Sequence, residues 1–483
     1  MESLMHKRII VLSTSVHKRF NTGSVFRVVS QTFVGFTAAL LLTVLGGCQQ
    51  ESIESIGKTV VVDLPVAKDI NVLIISFDAF RQDNLRAYGN ILNLTPNMDA
   101  FADESAVFLN AYTAGQATPS SFAAAFTGMF PHRVFRGWKL LETQTIAKVF
   151  AAGGYTTGAI LNNQQLVDER NFRQGFESYS ITSDRRDEQV AVEIGEYLET
   201  HKDQKFFAWV HFINPHSPYM RRKEAGHLLT PGYEGEYLKS SGSHVQTYIP
   251  KQMRAEDLTR IRELYNGEVL FVDQLFKQVM DKVRELDLLD NTVIVLTADH
   301  GEAIVEHGVI GHNQLYEEVI RIPMVVRHPG SVKPMRIQPR VSNIDLLPSL
   351  ASIAGLNYVR EAIDGINWLD GIPENRPLLT TQMTNESKLS MTMLSREFKT
   401  ISWCTPNEDF REELYDLAND PGELTDLIAS PEHADRIKEL FDLKAEVAAG
   451  DPCVTIAKAI AGGSIIDVDD ETLKVLRSLG YIQ

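Results

Sequence analysis

Two short apolar runs of this sequence stop at acidic residues. Val72-Leu73-Ile74-Ile75-Ser76-Phe77 breaks at Asp78, and Thr292-Val293-Ile294-Val295-Leu296 leads through Thr297-Ala298 into Asp299-His300-Gly301-Glu302. One aspartate after a buried strand needs no further role than capping the next turn. Two carboxylates and an imidazole at two strand ends can converge on a single cation, and oxygen donors with one histidine suit a hard or borderline divalent ion. Asp78, Asp299 and His300 are therefore candidate metal ligands. A third segment, Thr118-Pro119-Ser120-Ser121-Phe122-Ala123-Ala124-Ala125-Phe126-Thr127-Gly128, is small and helix-prone and is closed by Gly128 and Pro131. Thr118 falls at or near the N-cap of that helix. Free N–H groups at a helix N-terminus receive anions. A hydroxyl held there beside a metal ion can lose its proton and attack phosphorus or sulfur, which makes Thr118 the candidate nucleophile and a further metal ligand.

Positioning such groups requires a rigid frame. Apolar runs of the kind before Asp78 recur at Phe206-Phe207-Ala208-Trp209-Val210 and at Thr292 to Leu296, and read as central strands of a parallel sheet. Helical stretches lie between them: Thr145 to Ala152, Asp187 to Thr200, and Leu258 to Leu286 with apolar positions at Leu264, Val269, Val272 and Leu275. Strands alternating with helices predict an α/β sandwich, in which ligands gather at the carboxyl ends of the strands. Tyr219 to Pro250 has little periodicity and reads as a long surface excursion near the site. From about Leu378 the texture changes. Paired strands over Met391–Trp403 and a closing helix over His433–Ala449 predict a small C-terminal α+β subdomain.

The order of these segments resembles the sulfatases of the alkaline phosphatase superfamily. The matching segments are Asn71 to Asp83, Tyr88-Gly89, Thr95-Pro96-Asn97-Met98-Asp99, Thr118 to Arg133, His211 to Tyr219, Thr297 to Glu302, Glu306-His307-Gly308, Gly311-His312, Leu315 to Glu318, Asp345-Leu346-Leu347-Pro348 and Glu413 to Leu417. The resemblance covers about residues 70 to 430. It implies an alkaline-phosphatase-like sandwich around a mostly parallel sheet, with a catalytic domain over 70–370 and the smaller subdomain over 371–483. It also implies hydrolysis of sulfate or phosphate esters with one divalent metal, by the family's norm Ca²⁺. His216 and His312 are marked by their motif positions as the groups that bind the anion and protonate the leaving group. His211 and His307 are read as structural histidines or as residues that support the ligands from behind.

The departures from the family pattern are as informative. The family commonly has two consecutive aspartates where this chain has Asp78-Ala79. His300 stands where many members have asparagine, which makes Mn²⁺ or Zn²⁺ plausible. The usual nucleophile is a Cys or Ser in a Cys-x-Pro-x-Arg frame, converted to formylglycine. An ungapped count puts Thr118 at that position and Phe122 at the arginine; a gapped one would put Ala117 there, which cannot attack. Conversion of Thr118 is not expected. A threonine with two aspartates and a histidine resembles instead the superfamily's phosphoryl-transfer and phosphonate-ester branches. Two alternatives follow: a transferase of phosphoethanolamine or phosphoglycerol type, and a non-catalytic binding protein on a sulfatase scaffold.

The chain's ends and charge address its surroundings. Lys7, Arg8, Lys18, Arg19 and Arg27 precede an uncharged stretch from Val28 to Leu45, read as an export signal over 1–47. Leu45-Gly46-Gly47-Cys48 resembles a bacterial lipobox, which implies cleavage before Cys48, lipidation there, and a tether over 48–69. With Gln49 next, the expected location is the outer membrane, facing periplasm or cell surface. The 483-residue chain carries a net charge of −16. Losing five basic residues and one acidic one leaves 42 basic against 62 acidic, a net of −20, which argues against nucleic acid as a partner. The expected substrate is an anionic ester, a sulfated or phosphorylated glycan or small molecule. Two cysteines remain, Cys404 and Cys453, free to pair in an oxidising compartment.

Overall fold

The computed structural model describes residues 58–182, 186–237, 239–240, 247–248, 253–331, 333–384, 388–404, 411–448 and 453. The expected export signal, Cys48 and the first part of the expected tether lie outside them. No helix among the described residues is long and apolar enough to cross a membrane.

Eight strands make the central sheet: Asn71–Asp78 (β1), Ala106–Phe108 (β2), Thr156–Leu161 (β3), Ser178–Ile181 (β4), Phe206–Pro215 (β5), Thr292–Ala298 (β6), Met324–Arg327 (β7) and Met335–Ile337 (β8). Their order is β8-β2-β7-β6-β1-β5-β3-β4. The block β6-β1-β5-β3-β4 is parallel, whereas β7 runs antiparallel to both β6 and β2. β1 and β6 are buried at every residue, as strands covered on both faces must be. This is the mostly parallel α/β sandwich that the apolar runs predict.

Helices Thr118–Thr127 (α1), Ile146–Ala152 (α2), Asp187–His201 (α3) and Ala255–Glu285 (α4) cover the sheet. The expected helix at 145–152 starts one residue later because Thr145 is its cap, its hydroxyl accepting from the Lys148 N–H at 3.2 Å. α4 buries Ile261, Leu264, Val272, Leu275, Phe276, Val279 and Val283, an i, i+3, i+4 stripe.

The described part of the excursion after β5 has little regular structure and is clamped. The Arg222 guanidinium donates to Glu268 Oε2 on α4 at 2.9 and 2.7 Å and stacks over Phe271 at 3.7 Å. The Tyr233 hydroxyl donates to Asp257 at 2.6 Å, and Thr247–Tyr248 pairs with Val309–Ile310.

Beyond residue 377, Leu378–Thr384 (β9), Lys388–Ser395 (β10), Phe398–Trp403 (β11) and Arg411–Asp416 (β12) form an antiparallel sheet in that order. Helix Ala434–Val447 (α5) packs on it. Cys404 and Cys453 are disulfide-bonded, with Cα atoms 5.4 Å apart. This sheet is fixed to the larger layer by a buried ionic knot. Lys399 Nζ lies 3.1 Å from Glu317 Oε1 and 2.6 Å from Glu423 Oε1. Glu317 Oε2 accepts from the Tyr112 hydroxyl at 3.0 Å, and Glu423 Oε2 from the Glu317 N–H at 2.7 Å.

Candidate active site

The parallel register decides which side chains meet. β1 and β6 run in step to Phe77 and Ala298, so Asp78 and Asp299 leave the sheet side by side. On the other side, β1 follows β5 until a bulge places Asp78 opposite Pro215. His216 thus emerges at the same edge, and β3, paired through Leu161 and His211, delivers Asn162 and Asn163 there. Two hydrogen bonds hold Asp299: Oδ1 accepts from the Ala79 N–H at 3.1 Å and from the His300 N–H at 2.8 Å. Gly301 is required for the next step of this loop, since a Cβ there would lie 2.1 Å from the Glu318 carbonyl oxygen.

α1 is anchored to the same edge. The Ser121 hydroxyl donates to the Asp299 carbonyl at 2.8 Å, and Asn343 Nδ2 donates to the Ser121 carbonyl at 3.1 Å. Thr118 is the first residue of the helix, with Ala117 as N-cap. The Thr118 hydroxyl donates to Asp78 Oδ2 at 3.1 Å. Asn163, which the sequence reading missed, donates from Nδ2 to the same oxygen at 2.6 Å, its own Oδ1 being held by the Gln165 N–H at 2.8 Å.

Three atoms in this group have no hydrogen-bond partner although fully buried: Asp78 Oδ1, Asp299 Oδ2 and His300 Nε2. His300 Nε2 lies 3.6 Å from the first and 3.5 Å from the second. Its Nδ1 faces the Gly301 carbonyl at 2.9 Å. A carbonyl only accepts, so Nδ1 carries a proton, and in the neutral ring Nε2 presents a lone pair. Buried, unpaired donor atoms of this kind are costly unless a cation joins them. Two ligands each about 2.0–2.1 Å from a tetrahedral Zn²⁺ sit roughly 3.3 Å apart, close to the spacing seen. The residues fit a divalent metal. His211 belongs to this group as well: one donor atom each of Asp78, His211 and Asp299 lies within 4.8 Å of the others. From the sequence, His211 is expected to be a structural or supporting residue; its register beside Ser76 turns the ring toward Asp78. The two donor sets share both aspartates and differ in the imidazole.

The other histidines line up behind the cation cradle. The His312 ring lies 4.2 Å from that of His300 and 5.0 Å from that of His216, centroid to centroid. His312 Nδ1 is 3.1 Å from Glu302 Oε1, and Tyr219 also hydrogen-bonds Glu302. Burial pushes Glu302 up to about 7, helped by the charge of Asp78. Burial also pushes His312 down to about 4, helped by His216. The buried pair is thus driven toward its neutral forms. His307 stands apart from this edge, stacked on Tyr316 at 3.6 Å.

Fold and site together define an α/β ester hydrolase with a cradle for a divalent cation at the carboxyl edge of its sheet. The sulfatase family model matches residues 70–356, and a second model, described as N-sulphoglucosamine sulphohydrolase, C-terminal, matches residues 305–449. The first spans more than half of the chain, and the chain belongs to the sulfatase family of the alkaline phosphatase superfamily. Among its relatives is a choline-sulfatase of Rhizobium meliloti, 25% identical over 299 residues; the match spans 58% of this chain and only 55% of that protein. An N-acetylglucosamine-6-O-sulfatase of Bacteroides thetaiotaomicron is 24% identical over 490 residues, covering 78% of this chain and 86% of that one. The crystal structure of a phosphonate monoester hydrolase of Agrobacterium radiobacter shares the fold, with a TM-score of 0.65 at 20% identity, over 78% of this chain and 96% of that one.

Proposed function

We propose that this protein hydrolyses sulfate or phosphate-type esters with a divalent metal, using the unmodified Thr118 hydroxyl as nucleophile. One observation carries the reading: the Thr118 hydroxyl sits 3.1 Å from Asp78 Oδ2, at the start of α1 and beside donor atoms without partners. Ala117, the alternative at this position, has no atom to attack with. The metal, when bound by Asp78, Asp299, His300 and the Thr118 oxygen, lowers the hydroxyl pKa and neutralises charge on the attacked anion.

The chain's own residues do the rest. Asp78 Oδ2 accepts the hydroxyl hydrogen bond, and Asn163 fixes that carboxylate in place. The Thr118 oxygen, its proton released to solvent, bonds to sulfur or phosphorus as the ester oxygen leaves. Neutral His312 gives its Nε2 proton to the leaving oxygen while the protonated Glu302 carboxyl passes a proton to Nδ1, and His216 holds the anion. Water then cleaves the threonine ester and restores the hydroxyl. A formylglycine enzyme expels sulfate by collapse of a hemiacetal; a threonine ester lacks that route, and its chemistry suits phosphorus at least as well. The relatives include sulfatases, and the fold is shared with a phosphonate monoester hydrolase.

The test is a metal-dependent hydrolysis screen of aryl sulfates, phosphate monoesters, phosphodiesters and phosphonates. Thr118→Ala is expected to lose at least about a thousandfold in turnover with the fold intact; full activity in that variant would end the proposal. Transfer of a phosphoethanolamine or phosphoglycerol headgroup to an acceptor, instead of release to water, would reassign the protein as a transferase. The same reading has the enzyme exported and held to a membrane through a lipidated Cys48, supported by Leu45-Gly46-Gly47-Cys48 alone. Labelled fatty acid that is incorporated equally by Cys48→Ala would refute it.

A further inference from the structure

We propose that His211 is itself a ligand of the active-site cation, replacing the aspartate that Ala79 has lost, and that it turns the site from calcium toward zinc-like ions. The proposal rests on the cation-binding reading above and adds a ligand to it.

The first argument is a proton count. The Ser76 hydroxyl has three neighbours: the Val210 carbonyl at 3.1 Å, Trp209 Nε1 at 2.9 Å and His211 Nδ1 at 3.0 Å. The carbonyl can only accept and the indole N–H can only donate. The Ser76 hydroxyl donates to the Val210 carbonyl. With that proton engaged, Ser76 accepts from Trp209, and its hydrogen bond with His211 places a proton on Nδ1. That leaves Nε2 as the lone-pair nitrogen, and it has no hydrogen-bond partner although the residue is fully buried. It lies 3.6 Å from Asp78 Oδ2, beyond hydrogen-bond range but close to the spacing of two ligands on one ion. An N–H held at the remote nitrogen is the arrangement by which proteins orient metal-binding imidazoles.

The second argument is that two departures from the family pattern meet at this ring. At Ala79 the backbone is pinned, with φ of +59°, its N–H on Asp299 Oδ1 and its carbonyl accepting from the Tyr265 hydroxyl at 2.9 Å. Its side chain offers no donor, so the cradle is one carboxylate short. At Phe122, where the family frame carries arginine, an aromatic ring packs edge-on against His211 at 4.9 Å. An arginine there would set a positive charge beside an imidazole meant to bind a cation. Phenylalanine instead gives it an apolar wall, and Trp209 supplies another at 6.0 Å. The lost aspartate and the lost arginine are thus compensated together. Two carboxylates and the His211 imidazole make the compact donor group, and a nitrogen donor in place of a carboxylate favours Zn²⁺ or Co²⁺ over Ca²⁺.

The test measures metal binding rather than turnover. The full chain is stripped with chelator and titrated with Zn²⁺, Co²⁺ and Ca²⁺ against a chromogenic competitor, with folding followed by circular dichroism. The wild type is expected to prefer Zn²⁺ to Ca²⁺. His211→Ala is expected to weaken Zn²⁺ at least about a hundredfold, to alter the Co²⁺ visible spectrum and to leave Ca²⁺ affinity nearly unchanged. Ser76→Ala, which frees the ring without removing it, is expected to weaken Zn²⁺ about tenfold, and serves if His211→Ala does not fold. Ala79→Asp in the His211→Ala background is expected to raise Ca²⁺ affinity. Zn²⁺ affinity and Co²⁺ spectrum unchanged in both His211→Ala and Ser76→Ala would overturn the proposal while leaving the metal site standing. A wild type that binds no divalent ion, indistinguishable from Asp299→Asn, would overturn both.

Discussion

Two groups of charged side chains are buried in this protein, and they are built to opposite rules. At the junction with the C-terminal sheet, every carboxylate oxygen of Glu317 and Glu423 meets a cation or a donor: the Tyr112 hydroxyl and the Glu317 N–H take what the ammonium does not reach, and Glu423 Oε1, which accepts no hydrogen bond, is ion-paired with Lys399 at 2.6 Å. At the carboxyl edge of the central sheet, Asp78, Asp299, His300 and His211 each keep one atom without a hydrogen bond. Both groups bear the desolvation of burial. The first offsets it internally and acts as a rivet. The second can offset it only by taking something in. Buried charge in itself therefore says little; whether its valences are filled separates a structural group from a binding one.

The largest effect that could break this comparison lies at Asp299. Asp299→Asn can keep its oxygen on the Ala79 and His300 N–H groups while removing one buried charge. Turnover is expected to fall at least about a thousandfold, yet the chelator-treated variant should melt no lower than chelator-treated wild type. A clear loss of stability without metal would mean that the open group is structural after all. Next comes Lys399→Met, which strands two buried carboxylates. It should cost about 3–5 kcal/mol in denaturant unfolding while leaving kcat per folded molecule unaltered. A loss below about 1 kcal/mol would remove the contrast from the other side.

The smallest effect sharpens the boundary of the filled group. His307 places Nδ1 3.0 Å from Glu318 Oε1 and Nε2 3.3 Å from the Glu423 carbonyl. Both partners are acceptors, so both nitrogens donate and the ring is an imidazolium. Burial alone would lower its pKa, but the Glu318 carboxylate raises it above the usual 6.5. A raised pKa means stabilisation fully present below the unfolded value and lost as pH climbs through the folded one. Stability should therefore decline from about pH 6.5 upward, by no more than about 1.4 kcal/mol per unit. His307→Gln should flatten that part of the curve, as read from urea midpoints at several pH values.

The strand ends were legible because a continuous apolar run that stops at an acid is a local signal, and Asp78, Asp299 and His300 follow from it. The long helix over 255–285 was legible from its stripe. His211 was not, because it lies inside a run whose pattern only says that the strand is buried; what turns its ring to use is the step-by-step pairing of Ser76 with His211 across two strands 135 residues apart. The missing aspartate at Ala79 was the signal that could have prompted a search for a replacement donor. Asn163 was missed because Thr156–Leu161 offers little apolar contrast, and its place beside Asp78 depends on the register of β3 with β5. Glu302 was visible within its motif, but nothing in the spacing ties it to His312.

The clamped excursion between Tyr219 and Pro250 has an evolutionary consequence. Its early part is bolted by Arg222 and Tyr233 to one rigid helix, and its far end by Thr247–Tyr248 to the stretch just before His312. Between such fixed points, a chain can gain, lose or exchange residues without passing strain to the floor beneath. Descendants of this scaffold can therefore rewrite this stretch while β5 and the long helix keep their places.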